Sequence, residues 1–312
     1  MCGLFGLLCY GKRIDNLNEI IRELAYASAE RGTDATGLAY VSNGRLKIYK
    51  KALSAYKLKY QLPKDVTCVV GHTRHATQGN KEYIANNHPF IGKVSGNIFA
   101  LAHNGVLTND HMLKSTYNLP KTKIETDSYV AVQLLERENK LNFDSLKFMA
   151  ETVAGSFTFS IMDKSNNLYL VKGDSPLSIL HFPKLKLYVY ASTDNILWRS
   201  LIESPLFDSI KDREFEEITI HTGNILKISN NGILSYTDFN YVPSYGCNWR
   251  DYGDYCRSGY YDDNFDMSYL DDLKAIAGFY GYTANDVDTL YQEGFTPDEI
   301  EEFLYKGVDT MC

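Results

Sequence analysis

The sequence predicts an α+β protein in which antiparallel sheets are covered by helices. Strand-like runs outnumber helical ones over the first 240 residues of a 312-residue chain. Many of these runs are joined by short turns such as Asn230-Asn231-Gly232, which is typical of hairpins and not of helical crossovers. Apolar residues make up 44% of the chain and charged residues 23%, a balance that excludes a disordered or fibrous protein.

The individual elements follow from the spacing of apolar residues. An apolar run predicts a strand over residues 3–10. Spacings of three and four predict a helix over residues 15–30, with Asp15 as its N-cap. Further strands are predicted near 37–49, 66–71 and 98–102, helices near 127–138 and 143–153, and short strands over 157–236 with a helix at 194–200.

Charge divides the chain near residue 240. Residues 241–312 hold 15 acidic and 4 basic side chains, whereas residues 1–240 hold 24 acidic and 28 basic ones. The last 72 residues also hold 11 of the 24 tyrosines. We therefore predict a folded domain over 1–240, a linker rich in Tyr, Asp and Gly over 241–266, and a small acidic helical bundle over 267–312.

Three residue pairs predict helix starts in the acidic segment. In each pair a Ser or Thr precedes an acidic residue by three positions, as in a capping box. We interpret the segment as a docking or interaction module. The pairs are Ser268 with Asp271, Thr283 with Asp286, and Thr296 with Glu299.

The composition also limits location and partners. The sequence contains no run of 18 apolar residues that could span a membrane, and it does not open with a secretory signal. We therefore expect a cytoplasmic protein whose six cysteines are reduced; a bridge between Cys247 and Cys256 is the alternative. The pI near 5.5 and the lack of a basic stripe argue against nucleic-acid binding.

Cys2 carries a chemical signal at the start of the chain. Removal of Met1, which is easy before a small residue, would leave a thiol and an α-amine on one residue. The amine titrates at about 7.7 to 8.0 and can take the thiol proton directly or through a water. The thiol is an intrinsically strong nucleophile. By itself, however, a cysteine at position 2 occurs in many proteins by chance.

Further segments accompany Cys2 in a recognisable order. They are MCGLFG at 1–6, RGTDATG at 31–37, GHTRHATQG at 71–79, HNGVLTN at 103–109 and ETDS at 125–128. Together they resemble the glutaminase domain of class II glutamine amidotransferases, which are N-terminal-nucleophile hydrolases. The resemblance covers about residues 2–240. Over these residues the chain most resembles the glutaminase halves of glucosamine-6-phosphate synthase and amidophosphoribosyltransferase. It implies a four-layer αββα sandwich, here with a small C-terminal helical appendage.

The resemblance implies a catalytic role for three residues. Cys2 would attack the side-chain amide of glutamine and form a γ-glutamyl thioester. The side chain of Asn104 and the backbone N–H of Gly105 would form the oxyanion hole, where donors stabilise the charge that develops in the transition state. Locally, Asn104-Gly105 is also typical of an ordinary turn.

The resemblance also implies how the substrate is held. Arg74 would bind the α-carboxylate of glutamine, because its planar guanidinium suits a carboxylate. Asp127 would bind the α-ammonium. Without the other motifs, Arg74 would be interpreted as a structural cation and Asp127 as the N-cap of its helix. The remaining implied residues are Thr77 and His75, which would line the pocket, and Arg31, which would support the nucleophile.

Two further points follow from the family pattern. Its chemistry uses no metal or cofactor, so we expect His72, His75 and His88 to form no metal site. Tyr129 departs from the pattern, in which an acid often stands two residues after the Asp, and this affects the expected details of the pocket.

No sequence signature indicates a second site at which ammonia would meet an acceptor. Beyond residue 240 there is no phosphoribosyl-binding signature and no GxxxxGK loop. We therefore expect a glutaminase subunit that delivers ammonia to a separate acceptor synthase, with 241–312 as its candidate docking segment. The alternatives are a hydrolase of another γ-glutamyl amide and a non-catalytic regulatory or binding protein that retains the fold.

Overall fold

The computed structural model divides the chain into two compact units, Met1–Tyr241 and Val242–Cys312. From the start of the first unit to residue 243, the model describes residues 2–11, 14–211 and 214–243. In the remainder of the chain it describes residues 270, 273–274, 277–278, 281–292, 295, 300–301 and 303–304.

Seven antiparallel strands form the first sheet. Directly after Cys2, β1 (Gly3–Cys9) is buried along its whole length. Because Gly3 lies opposite Thr73, the start of β1 meets the end of the neighbouring strand, which brings Cys2 towards Arg74. The strands, in spatial order, are β11 (Glu216–Glu217), β9 (Ser178–Phe182), β10 (Leu187–Ala191), β1, β4 (Cys68–Arg74), β2 (Ala35–Ser42) and β3 (Arg45–Lys51).

Six antiparallel strands form the second sheet. The long β6 (Asn97–Leu107) carries Asn104 and Gly105 near its end and lies between two other strands. The strands, in spatial order, are β13 (Leu234–Asp238), β12 (Asn224–Ile228), β8 (Leu168–Lys172), β7 (Gly155–Asp163), β6 and β5 (Phe90–Val94).

The side chains of β1 point alternately to its two faces, and their contacts show how the layers are stacked. Phe5 and Leu7 point away from the second sheet and pack in one cluster with α1 (Leu17–Ser28) and α5 (Asp194–Glu203). Leu4 and Leu8 point the other way, into a cluster shared with the second sheet. This is the behaviour of a strand that is buried on both faces, where successive side chains leave in opposite directions.

The outer face of the second sheet is covered by two further helices. These are α3 (Tyr129–Glu138) and α4 (Phe143–Thr152), whose apolar sides join the sheet in a third cluster. Val130 and Leu134 are completely buried there, as is Phe159 of β7. The order of layers is therefore helix, sheet, sheet, helix, which confirms the predicted α+β class and the αββα sandwich.

Several local predictions differ from the structure. The N-cap of α1 is Asn16, in the left-handed region, and not Asp15. The run predicted near 37–49 is a hairpin of two strands, β2 and β3. Asn104-Gly105 lies within β6 and forms no turn. Two short helices were not predicted, α2 (Asp110–Thr116) and α6 (Phe207–Ile210).

One of the three predicted helix starts of the acidic segment is described. The helix α7 (Ala284–Gln292) follows Thr283, whose backbone N donates to Asp286 Oδ2 at 2.6 Å. Asp286 N donates in turn to Thr283 Oγ1 at 3.3 Å, which is the predicted capping box. The pairs at 268/271 and 296/299, both cysteines of the considered 247–256 bridge, and the linker from residue 244 onwards lie outside the described residues.

None of the helices in the described parts of the chain has the length and apolar character needed to cross a bilayer.

Candidate active site

Residues that are far apart in the sequence surround one cavity next to Cys2. Six of the side chains or backbone groups named from the sequence line it: Cys2, Arg74, His75, Thr77, Gly105 and Asp127. Asn104 directly precedes one of them. Arg31 lies behind Cys2, because its Nε donates to the Cys2 carbonyl at 2.9 Å. The structure therefore brings all eight residues into one region.

A hydrogen bond to the backbone positions the Cys2 thiol. Its Sγ donates to the carbonyl of His75 at a distance of 3.5 Å. Burial raises the pKa of the thiol above its ordinary value. The resting thiol is therefore neutral at pH 7, and a nucleophilic attack requires a nearby base.

Asn104 and Gly105 present donors from the end of β6. Gly105 has a φ of 131°, and a Cβ at this position would lie 2.0 Å from the carbonyl oxygen of Ser156, so only glycine fits. The Asn104 side chain is completely buried, yet neither its Oδ1 nor its Nδ2 has a hydrogen-bond partner among the residues described. Buried polar atoms of this kind are rare, and they mark a place where a ligand or water can bind.

A fixed cation and a fixed anion also line the cavity. The Arg74 guanidinium is buried and donates from Nη1 to Asn87 Oδ1 at 2.6 Å, and from Nη2 to backbone carbonyls that include Gly79 at 3.3 Å. Asp127 Oδ2 accepts from Leu107 N at 2.6 Å. Ser128, and not Asp127, is the N-cap of α3. The carboxylate of Asp127 is thus held by a strand end and lines the cavity.

Acidic side chains fasten the loop that follows Arg74. Asp34 Oδ2 accepts from Ala76 N at 2.9 Å, and its Oδ1 pairs with Lys81 Nζ at 2.8 Å. Burial alone would raise the pKa of Asp34, but the hydrogen bond from Lys81 brings it below its ordinary value. Glu125 Oε2 accepts from the loop at Asn80 N, and this bond lowers the pKa of Glu125. The loop is therefore tied to both sides of the cavity.

Three histidines pack together beside the cavity. The ring of His88 lies 4.2 Å from the ring of His72 and 6.4 Å from that of His103, measured between centroids. Burial lowers the pKa of His72 to about 3 and that of His88 well below its ordinary value. These imidazoles are neutral at pH 7. Within the part of the chain that the structure describes, no group of three or more His, Cys, Asp or Glu could hold a metal ion.

Sequence reasoning assigned no role to five other residues that line the cavity. Most of them adjoin residues that it did name, within the segments 71–79, 103–109 and 125–128, so adjacency was an available signal. His88 stands in the separate segment Asn87-His88-Pro89. In the described residues, neither ring nitrogen of His88 nor the hydroxyl of Thr126 has a hydrogen-bond partner. The five residues are Gln78, His88, His103, Thr126 and Ser128.

A wider cleft lies near the other end of β1. It is lined by residues that include Asp15, Lys184 and Lys186. Its described lining residues include no cysteine and no histidine. It therefore lacks the nucleophile and base of the Cys2 cavity.

Comparison with known proteins finds a family that part of the chain resembles. Residues 51–147 match the family model of class-II glutamine amidotransferases. This part of the chain is therefore similar to class-II glutamine amidotransferases. The matched residues include Arg74, Asn104 and Asp127 of the cavity.

Curated relatives of the chain include glutamine–fructose-6-phosphate aminotransferases (isomerizing). The enzyme of Staphylococcus epidermidis is 32% identical over 188 residues, which are 57% of this chain and 30% of the relative. The enzyme of Streptococcus agalactiae serotype III is 31% identical with the same coverage. The chain thus spans less than a third of the length of these relatives.

Two solved structures have a similar fold. Glutamine phosphoribosylpyrophosphate amidotransferase from B. subtilis superposes with a TM-score of 0.61 and 22% identity, covering 77% of this chain and 49% of that one. The structure of the allosteric regulatory enzyme of purine biosynthesis gives a TM-score of 0.61 at 21% identity, with 78% and 50% coverage. The two superpositions therefore show that the first 241 residues share the fold of these enzymes.

Proposed function

We propose that this chain hydrolyses the side-chain amide of glutamine to glutamate and ammonia, with Cys2 as the nucleophile. The observation that supports this most strongly is the placement of Cys2, Gly105, Arg74 and Asp127 around one cavity. The unpartnered amide of Asn104 adds a donor beside it. A nucleophile, two oxyanion donors and two opposite charges are what hydrolysis of an amino-acid amide requires.

The reaction would proceed through a thioester. After removal of Met1, the α-amine of Cys2 takes the thiol proton as Sγ forms a bond to the amide carbon of glutamine. Asn104 Nδ2 and the Gly105 N–H stabilise the oxyanion. Collapse of this intermediate breaks the C–N bond, and the amine returns its proton to the departing ammonia. Water then hydrolyses the γ-glutamyl thioester to glutamate and restores the thiol.

Arg74 and Asp127 would hold the amino-acid end of glutamine. The guanidinium has five N–H donors, which is more than the three acceptors that the structure gives it. A carboxylate can therefore bind without displacing them all. Asp127 would bind the α-ammonium, and His75 and Thr77 would line the pocket around it.

We further propose that the ammonia is used at an acceptor site outside residues 1–312, on a synthase docked through residues 241–312. This proposal is supported by the match to the aminotransferase relatives, which covers only 30% of their length and leaves the larger part of each relative unmatched. A cytoplasmic location is part of this proposal, because a reduced compartment keeps a nucleophilic thiol active.

Glutamate release from glutamine tests the assignment of Cys2. We expect Cys2→Ala to lower turnover by at least about 10⁴-fold, because the nucleophile is lost. Cys68→Ala is the matched control, since Cys68 is a buried thiol in β4 outside the cavity, and it should keep nearly full turnover. Unchanged turnover in Cys2→Ala, or Met1 retained in the active protein by mass spectrometry, would show that the assignment is wrong.

A pull-down tests the docking role. The full chain and a chain that ends at residue 240 are compared as baits, and glutaminase activity is measured on both. Loss of the bound synthase with activity retained supports docking through the acidic segment, and unchanged association contradicts it.

A further inference from the structure

Lys50 of β3 lies behind the loop that carries Asn87 and His88. Its Nζ donates to the backbone carbonyl of Asn87, to that of Pro89 at 3.2 Å and to that of Ala85 at 3.5 Å. One partly buried ammonium group therefore binds three carbonyls within five residues of the loop.

The neighbouring strand is shaped to let this loop approach. Gly37 of β2 pairs with Lys50 across the hairpin. A Cβ at Gly37 would lie 2.0 Å from the carbonyl oxygen of His88 and 2.9 Å from the Cβ of Lys50. The missing side chain thus permits both the loop and the lysine to pack against β2.

Asn87 connects Lys50 to the cavity. Its side-chain Oδ1 accepts from Arg74 Nη1 at 2.6 Å, and its Nδ2 donates to the carbonyl of Lys81 at 3.1 Å. The next residue, His88, lines the cavity. The backbone of Asn87 is held by Lys50 while its side chain holds Arg74, so a shift of the loop would be transmitted to the guanidinium.

We propose that Lys50 is a positioning residue for glutamine, which fixes through Asn87 the guanidinium that binds the substrate carboxylate. This inference rests on the proposed function of the cavity. Lys50 touches no substrate and takes no part in the chemistry, so its loss should weaken binding of glutamine and leave the rate of the chemical step nearly unchanged.

The protonation state of Lys50 gives this role a pH signature. Burial, with a further contribution from the nearby cation of Arg74, lowers the pKa of Lys50 from 10.5 to about 8. The other titratable groups that face it are His72 and His88, which are both neutral at pH 7. An ammonium has three donors for three carbonyls, whereas the neutral amine has two. Above pH 8 one carbonyl therefore loses its donor, and the anchor loosens.

Stability and binding should respond to this deprotonation in opposite directions. The folded protein releases the Lys50 proton near pH 8, whereas the unfolded chain keeps it to about 10.5. Between these values the unfolded state binds more protons, so the contribution of Lys50 to the free energy of unfolding rises with pH. Affinity for glutamine should fall over the same range. A purely structural lysine would show only the first effect.

The test measures the glutamine dissociation constant by calorimetry in a Cys2→Ala background, where turnover is absent. Lys50→Met and Lys51→Met are compared with this parent from about pH 6.5 to about pH 9.5, a range centred on the Lys50 pKa of about 8. Lys51 is the matched control, because it is the next residue of β3 and is exposed. We expect Lys50→Met to bind glutamine about tenfold more weakly at pH 7, because all three carbonyls lose their donor and the guanidinium of Arg74 is less firmly fixed.

The difference in glutamine affinity between the parent and Lys50→Met should shrink above pH 8. Lys51→Met should have the affinity of the parent over the whole pH range. The amine of glutamine itself titrates alike in all variants and cancels in the comparison. Equal affinity of Lys50→Met and the parent at pH 7, or a difference that does not change with pH, overturns the role of Lys50 alone. A parent that binds no glutamine overturns the proposed function and this inference with it.

If Lys50→Met does not fold, Lys50→Arg decides the question. The guanidinium stays charged over this whole pH range. We expect the glutamine affinity of Lys50→Arg to fall less steeply above pH 8 than that of the parent. A decline as steep as that of the parent overturns the inference.

Discussion

Polar side chains lie near both ends of β1, but they are bonded in opposite ways. Beyond Cys9, the Tyr10 hydroxyl lies 2.7 Å from His181 Nε2, and Glu216 Oε2 lies 2.8 Å from His181 Nδ1. At the Cys2 end, both polar side-chain atoms of Asn104 and both ring nitrogens of His88 lack a partner among the described residues. One end is satisfied by the protein itself, and the other is not.

This difference separates structure from function. A histidine that is bonded on both nitrogens stabilises the fold, and His181 also stacks on Tyr188 with ring centroids 4.0 Å apart. A buried polar group without a partner costs stability and is retained where a ligand supplies the missing bond. The contrast therefore predicts that substitutions at the Cys2 end impair activity, and that substitutions at the Tyr10 end impair stability.

Among the changes that test this comparison, Asn104→Ala should have the largest effect. Loss of one oxyanion donor should lower kcat for glutamine by about 10²- to 10³-fold. Because neither polar atom of the side chain is bonded in the part of the chain described, the free energy of unfolding should change by less than about 1 kcal/mol. Steady-state kinetics measures kcat, and urea unfolding of the same preparation measures the free energy of unfolding. A large loss of stability with kcat retained would reverse the comparison.

Arg74→Lys should act on substrate binding. Lysine keeps the charge but cannot offer two parallel donors to a carboxylate, and it loses the bond to Asn87. We expect KM for glutamine to rise by about tenfold or more, with kcat changed less than KM. Arg199→Lys is the control, since Arg199 bonds to the Ala27 carbonyl away from the cavity. A pure kcat effect would contradict the role of Arg74 as an anchor.

Acid should destabilise the fold through the histidines beside the cavity. The pKa of His72 is lowered to about 3 by burial, so the unfolded chain binds its proton near pH 6.5 while the folded protein does not. The contribution of neutral His72 to the free energy of unfolding is complete above pH 6.5. Below pH 6.5 it falls by about 1.4 kcal/mol per pH unit. Urea unfolding at pH 7.5, 6.5, 5.5 and 4.5 measures the slope. His111→Gln, which removes an exposed histidine, should leave it unchanged. A flat profile would contradict the prediction.

The smallest effect is expected at the Tyr10 end. His181→Phe keeps an aromatic ring against Tyr188 but removes the bonds to Tyr10 and Glu216. We expect the free energy of unfolding to fall by about 1 to 2 kcal/mol. The kcat/KM for glutamine should stay the same. Thermal unfolding measures the stability, and glutamate release measures kcat/KM. Lost activity in a protein that stays stable would mean that the Tyr10 end of β1 also contributes to catalysis or binding.

The class of fold and the residues around the cavity were accessible from the sequence. Alternating apolar residues and short turns predict antiparallel strands, since each signal depends on neighbours along the chain. Short segments likewise identified Cys2, Arg74 and Asp127 and the type of protein that carries them. Their roles remain proposals, but their predicted proximity is observed.

Tertiary structure decided how those residues are held. Asn104-Gly105 belongs to a strand because β7 pairs with it, and at Gly105, whose φ is 131°, a Cβ would collide with the carbonyl of Ser156. Asp127 binds Leu107 N instead of capping its helix. Lys50 reaches the loop at 85–89 across a gap of 35 to 39 residues. The sequence by itself determined which groups are present, because local spacing records them. Only folding decided which of them are bonded and which remain open, because those bonds join residues that are distant along the chain.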